Sequence, residues 1–292
     1  MANSNGWGDG AGNNAIGWGQ AANNAISWGK SQIDSWAGLT DITGIPSTDS
    51  DAQAFITAAG ITDATQQSAI NTLVIDLKGY SIWTKIKALY PFVGGTSSTH
   101  KWNLKDPRDL DAAYRLVFNG GWTHSSGGAL PNGTNGYADT KLVASGTLSL
   151  NSTSFSVYSR TNTDLLAPSI GNVTGGASSE ASLFLRYSNT SYVRVNGGTA
   201  STQANSDSRG LFIANRASSS QILYQIRGTQ YTLSNTSNSL STNSFQLGGV
   251  NPNFFDNKQL AFAFIGDGLT SQNMTDLNTA VVAFETALSR NV

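Results

Sequence analysis

Between residues 50 and 90 the apolar positions recur at helical spacing, and beyond residue 95 they shift to short alternating runs; the first forty residues show neither period. Ser50-Asp51 opens an apolar-rich run through Phe55 and Ile56 that Gly60 closes, which predicts a short helix. Thr62 offers a second N-cap. From Asp63 onward Ala69, Ile70, Leu73, Val74 and Leu77 follow a 3.6-residue period, while Gln66, Gln67, Asn71 and Lys78 fall on the opposite side. This predicts an amphipathic helix ending at Gly79. Residues 82–90, from Ile82 to Tyr90, resume the spacing and predict a third short helix, stopped by Pro91 and Gly94-Gly95. Together these elements make a helical connector over residues 41–95.

The texture of residues 96–292 is mainly β. Runs rich in β-branched and aromatic residues fall at 141–150, 155–160, 181–187, 192–195, 210–215, 221–226, 229–233 and 244–247, separated by turn signals such as Asn132-Gly133 and Asn196-Gly197-Gly198. Many short strands at even spacing predict a sandwich or barrel. Leu183, Leu185 and Tyr187 alternate with Ser182, Phe184 and Arg186, as in a sheet with one buried face. The run 260–266 is apolar throughout and therefore predicts a central strand. A closing helix starts at Thr270 or Ser271, with Leu277, Val281, Phe284 and Leu288 on one stripe.

Residues 1–40 carry an internal repeat: Asn13-Asn14-Ala15-Ile16-Gly17-Trp18-Gly19 recurs as Asn23-Asn24-Ala25-Ile26-Ser27-Trp28-Gly29. Gly6-Trp7-Gly8 and Ser35-Trp36-Ala37 are degenerate copies. Glycines beside an indole weaken helix and strand but allow close backbone approach, so the expectation is an extended strap. Trp7, Trp18, Trp28 and Trp36 would then plug into pockets on a partner subunit.

Composition narrows the partners. Of the 292 residues only 12% are charged and the net charge is -1, with no Lys/Arg run, so neither nucleic acid nor an anionic membrane is expected as a partner. No apolar run approaches the roughly 18 residues of a membrane span, and residues 1–6 lack the basic and apolar regions of a signal peptide. Aromatics make up 10%, which favours a folded chain over a disordered one. With no cysteine there is no disulfide framework, no thiolate nucleophile and no Cys-ligated metal.

Catalysis is not expected. Retaining glycoside hydrolysis needs two carboxylates about 5 Å apart, and the only glutamates are Glu180, in a Gly/Ser-rich loop, and Glu285, on the final helix. Asp164, Asp207 and Asp256 stand singly and suit turn formation. Neither His100 nor His124 falls in a metalloprotease or hydrolase motif, and His124 beside Trp122 suits packing or a hydrogen bond. Asp256-Asn257 and Asp267 are the best calcium candidates, with turn capping preferred, so no metal and no cofactor is expected. Glycan binding requires aromatic faces beside polar side chains in a shallow site. Tyr187, Tyr192, Arg194, Tyr224 and Arg227 are the candidates for it, with an oligomer interface as their alternative role.

Three segments carry a resemblance. The Gly-Trp-Gly units of residues 6–29 look like the N-terminal straps of virion appendage proteins from phages of gut bacteria, including crAss-like phages. The block 79–95, continued by 100–107, is similar to the segment that precedes their sandwich, and 254–270 resembles the last strand and turn of a concanavalin-like (LamG-type) jelly roll. The resemblance implies a virion structural protein that anchors to other virion proteins by its strap and displays a lectin-like β-sandwich over residues 96–292. A homo-oligomer, with a trimer favoured, is the implied assembly. The alternative is a receptor-recognition protein for a host surface glycan; a capsule depolymerase ranks below both.

Overall fold

The first two helices form where apolar spacing and capping residues coincide. In the computed structural model, which describes residues 48–172, 180–250 and 252–292, helix α1 (Ser50–Ala59) begins at Asp49, whose carboxylate accepts the Asp51 N–H. It ends at Gly60, where a left-handed φ of 66° suits a residue without Cβ. Helix α2 (Ala64–Gly79) is capped by Asp63, one residue after the expected Thr62, through a 2.8 Å bond from the Gln66 N–H. The strap of residues 1–40, with Trp7, Trp18, Trp28 and Trp36, lies outside the described residues.

Residues 82–90 are not a third helix. After one 3-10 turn (Trp83–Lys85) the chain extends as β1 (Ile86–Tyr90), antiparallel to the last strand of the protein. Ile86 and Leu89 face one core while Ala88 and Tyr90 face another. A strand buried on both faces loses its alternation, so its apolar positions mimic a helix.

Two antiparallel sheets stack face to face. The first joins β1 to β3 (Trp122–Ser125), β4 (Gly128–Pro131), β6 (Thr153–Ser159), β11 (Gly210–Arg216), β12 (Gln221–Ile226), β13 (Thr229–Ser234) and β17 (Leu260–Gly266). Their order is β13-β12-β11-β6-β17-β4-β3, with β1 and β4 sharing one edge of β17. The second sheet contains β2 (Val117–Asn119), β5 (Tyr137–Val143), β7 (Ile170–Gly171), β8 (Ser182–Tyr187), β9 (Thr190–Arg194), β10 (Ser201–Ala204) and β14 (Ser244–Leu247). Their order is β10-β9-β8-β7-β14-β5-β2. A small ribbon of β15 (Gly249–Val250) and β16 (Phe254–Phe255) stands beside it. The run expected at 141–150 stops as a strand at Val143, and a one-turn helix (Ala144–Thr147) follows. The protein is thus mainly β, a two-sheet sandwich.

A third layer covers the first sheet. Helix α3 (Ser271–Ala287), opened by a capping box between Thr270 and Asn273, packs with α1 and α2 on the outer face of that sheet. Strand β17 shows why this layer is needed. Ala263 and Ile265 point into the core between the sheets, whereas Ala261, Phe262 and Phe264 point into the core beneath the helices. Burying each large apolar side chain contributes about 1.5–3 kcal/mol, and neither face of β17 has polar groups to offer water. The helices of 50–79 are therefore the outer layer of one compact unit, Asp49–Val292, instead of a separate connector ending at residue 95. Among the described residues no helix is long and apolar enough to cross a membrane.

Two buried ion pairs pin the layers. Arg290, past the end of α3, meets Glu285 at 2.8 Å and donates to the carbonyls of Pro91, Phe92 and Ala261. Lys258 Nζ meets Asp256 at 2.9 Å with both side chains fully buried, and the other Asp256 oxygen accepts from the Ser169 hydroxyl. Removing one partner strands a charge in the core. Lys258→Ala should therefore lower unfolding free energy by about 3–5 kcal/mol, read from urea unfolding; a loss below about 1 kcal/mol would show that the pair is not desolvated.

Candidate functional site

The second sheet has one face against the first sheet and an outer face without a helical layer among the described residues. Strand parity selects what that outer face displays. On β9, Ser191 and Val193 are buried while Tyr192 and Arg194 remain half-buried on the other side. On β8, Leu183 and Leu185 point into the core, which leaves Phe184 facing outward opposite Tyr192. Arg194 stands opposite Ser182.

Alternation predicts Tyr187 on the inner side with Leu183 and Leu185. The structure places it outside, 37% exposed, because the β8/β9 register slips between Phe184 and Tyr187. Such a slip re-aims the next side chain. A tight turn follows, with Ser188 and Asn189 at φ 49° and 54°. Both of their N–H groups donate to the Asp164 carboxylate, and those bonds hold Asp164 below the usual carboxylate range, the Ser188 N–H contributing most.

The result is a cavity of about 330 Å³ lined by Leu166, Glu180, Phe184, Tyr187, Tyr192, Arg194 and Phe254. The rings of Tyr187 and Tyr192 lie 6.4 Å apart, and Phe184 meets Tyr192 and Phe254 edge to face at 6.5 and 6.1 Å. Arg194 Nε donates to the Gly198 carbonyl at 3.3 Å and forms an ion pair with Glu180, whose Oε2 lies 3.3 Å away. One planar cation, one carboxylate and several aromatic faces therefore share a shallow depression. That combination can stack against C–H surfaces and exchange charge-assisted hydrogen bonds with hydroxyls.

Three of the five candidate residues, Tyr187, Tyr192 and Arg194, converge there; Tyr224 and Arg227 do not. Tyr224 is fully buried on the inner face of β12, where its hydroxyl shares a hydrogen bond with Ser191 of the opposite sheet, and burial pushes its ionisation up. A strand aromatic facing the core cannot contact a ligand. Arg227 sits in the β12–β13 turn at φ 46° and donates to the Asp207 carbonyl and to Asn205 Oδ1. It ties loops together. Leu166, Glu180 and Phe254 come from segments without period, so sequence reasoning did not group them; the one readable signal was Phe184, a large apolar residue on the outward phase of its strand.

The other candidates for chemistry are engaged structurally. Asp207 pairs with Arg209 at 2.9 Å, Asp267 with Lys87 at 2.9 Å, and Asp256 and Glu285 belong to the buried pairs described above. Among the described residues, no group of three His, Asp or Glu side chains could hold a metal ion. His100 and His124 face each other Nδ1 to Nδ1 at 3.0 Å, with Phe92 against His100 and with Phe118 and Trp122 against His124. One imidazole donates and the other accepts, so the contact requires at least one neutral ring. Burial, aided by His124 and Arg290, holds His100 down to about 3.

No protein-family model matches the sequence, and no curated protein does. Among solved structures, Trypanosoma rangeli sialidase in complex with 2,3-difluoro-KDN aligns at a TM-score of 0.47 and 10% identity over 73% of this chain and 39% of the sialidase. Domain 4 of a GH43 extracellular arabinanase from Geobacillus stearothermophilus, in complex with arabinotriose, aligns at 0.39 and 15% identity over 66% of this chain and 98% of that domain. The binding domain of botulinum neurotoxin serotype D aligns at 0.44 and 10% identity, over 68% and 52%. The chain spans about two fifths of the sialidase's length.

The histidine pair makes stability depend on pH. An unfolded His100 takes up its proton near 6.5, whereas the folded one resists until about 3, so its contribution is complete above 6.5 and declines as pH falls. The slope is at most about 1.4 kcal/mol per pH unit for one proton. Urea unfolding between roughly pH 7 and 5 should show that decline in the wild type and a shallower one in His100→Gln; equal slopes would refute this origin.

Proposed function

We propose that the Asp49–Val292 unit is a carbohydrate-binding module that holds its ligand in the cavity of Tyr187, Tyr192 and Arg194. The observation that carries this reading is the convergence of two tyrosine rings and the Arg194–Glu180 pair in one depression on the outer face of the second sheet. Sugars present an apolar C–H face and a rim of hydroxyls, and the cavity offers an aromatic surface beside paired charged groups, each side matching one part of the ligand. Its volume of about 330 Å³ is at the low end for small-molecule sites, roughly 300–1,000 Å³. That suits one or two sugar rings.

The activity proposed is binding without turnover. Glu180 is paired with Arg194, Asp164 is held by the N–H groups of the Ser188-Asn189 turn beside the cavity, and Asp207, Asp256 and Glu285 are engaged in ion pairs. The wider role that accompanies it is display on a virion, with host-surface glycan as the target. The spaced Trp7, Trp18, Trp28 and Trp36 favour that role, since indoles flanked by glycine suit anchoring to a neighbouring virion subunit.

A glycan array followed by calorimetric titration tests the site. Tyr192→Ala should weaken binding about tenfold or more, the loss of one stacking face, while Arg227→Ala should leave it unchanged; a blank array, or release of new reducing ends from a bound polysaccharide, would overturn the reading. The anchoring half is tested by deleting residues 1–40. The shortened protein should fold and stay soluble but fail to enter particles, and normal incorporation would count against the strap.

A further inference from the structure

Charge at the cavity is balanced. Arg194 is matched by Glu180 at 3.3 Å, and the neighbouring Arg186 on β8 lies 3.5 Å from Asp164 and donates to Asn162 and Asn189. Each cation that approaches the depression already has a carboxylate beside it. The Glu180 side chain is 11% exposed and that of Arg194 25%, so the two form an ionic pair at the wall, partly shielded from solvent. An anionic sugar would need either to displace Glu180 from Arg194 or to set its own carboxylate next to one that water screens poorly. Both routes cost free energy.

Neutral hydroxyls meet no such penalty. A carboxylate accepts and a guanidinium donates, so two adjacent hydroxyls can give one hydrogen to Glu180 and take one from Arg194 without separating the pair. From this geometry, and resting on the carbohydrate-binding reading above, we infer that the cavity selects uncharged sugars and that Glu180 is the residue that excludes acidic ones. Glu180 is then a specificity determinant, acting by repulsion where Tyr187 and Tyr192 act by attraction. It also gives Glu180, in the loop before β8, a function that no acid-base chemistry requires.

The test compares matched pairs of immobilised oligosaccharides that differ only in ending with a neutral hexose or with the corresponding uronic acid, with sialylated and desialylated pairs as a second set. The wild type should bind the neutral members at least about tenfold more tightly. Glu180→Gln should bring the two members of a pair to within about threefold, chiefly by strengthening the acidic one. Its melting temperature is measured alongside. A salt titration of the wild type gives an answer that needs no variant: affinity for the neutral member should change less than about twofold between roughly 0.05 and 0.5 M salt. Preference for acidic members, an unchanged ratio in a folded Glu180→Gln, or strongly salt-dependent binding would overturn the exclusion while leaving carbohydrate binding standing. Failure of every oligosaccharide to bind would remove both.

Discussion

One sheet with apolar residues on both faces dictates the rest of this protein. β6, β11 and β17 are buried along their whole length, and no single partner layer could cover both sides of them. The second sheet takes one side and the three long helices take the other. Because the helices are committed to the first sheet, no helical layer covers the outer face of the second sheet among the described residues. The candidate site lies there for that reason: it occupies the broad strand surface that the hydrophobic cores do not claim.

The walls of the cavity are held by interactions that lie beneath it. Ser191, between Tyr192 and its neighbour on β9, reaches inward to Tyr224 and so fixes β9 against the first sheet. Asp256 follows the ribbon strand that delivers Phe254, and its bonds to Lys258 and Ser169 clamp that ribbon beside β7. Arg216, fully buried, donates to the carbonyls of Val195 and Asn235 and joins the end of β9 to the edge of the other sheet. Buried polar groups of this kind stabilise little in net terms, but they fix which residues oppose which.

Sequence reading succeeded where one face of an element meets water. The helices at Ser50–Ala59, Ala64–Gly79 and Ser271–Ala287 carry a clear polar side, and β8, β9 and β14 of the second sheet fall in the expected runs, whereas the short strands β2, β7 and β10 fall in none. It failed at 86–90, where burial on both faces erased the period, and at Tyr187, where a register slip reversed the phase within one strand. Tyr192 and Arg194 are legible as an aromatic face beside a polar side chain, and the structure shows them alternating with buried Ser191 and Val193, whereas Leu166, Glu180 and Phe254 come from loops and a two-residue strand whose position only the folded chain supplies. Tyr224 reads as a surface candidate yet is buried, because a tyrosine on an amphipathic strand has the same spacing whether it points in or out. The hydroxyl partner that decides the matter is 33 residues away.

Asp49 is the residue at which the backbone joins this body, and its carboxylate is gripped by Lys78 at 2.6 Å on the helical layer. The depression bounded by Tyr187 and Tyr192 opens on the far side of both sheets. Polarity of presentation is thereby built into the order of the layers. A reagent that reacts with the helical layer therefore leaves the depression untouched, and the two ends of the stack can be addressed separately.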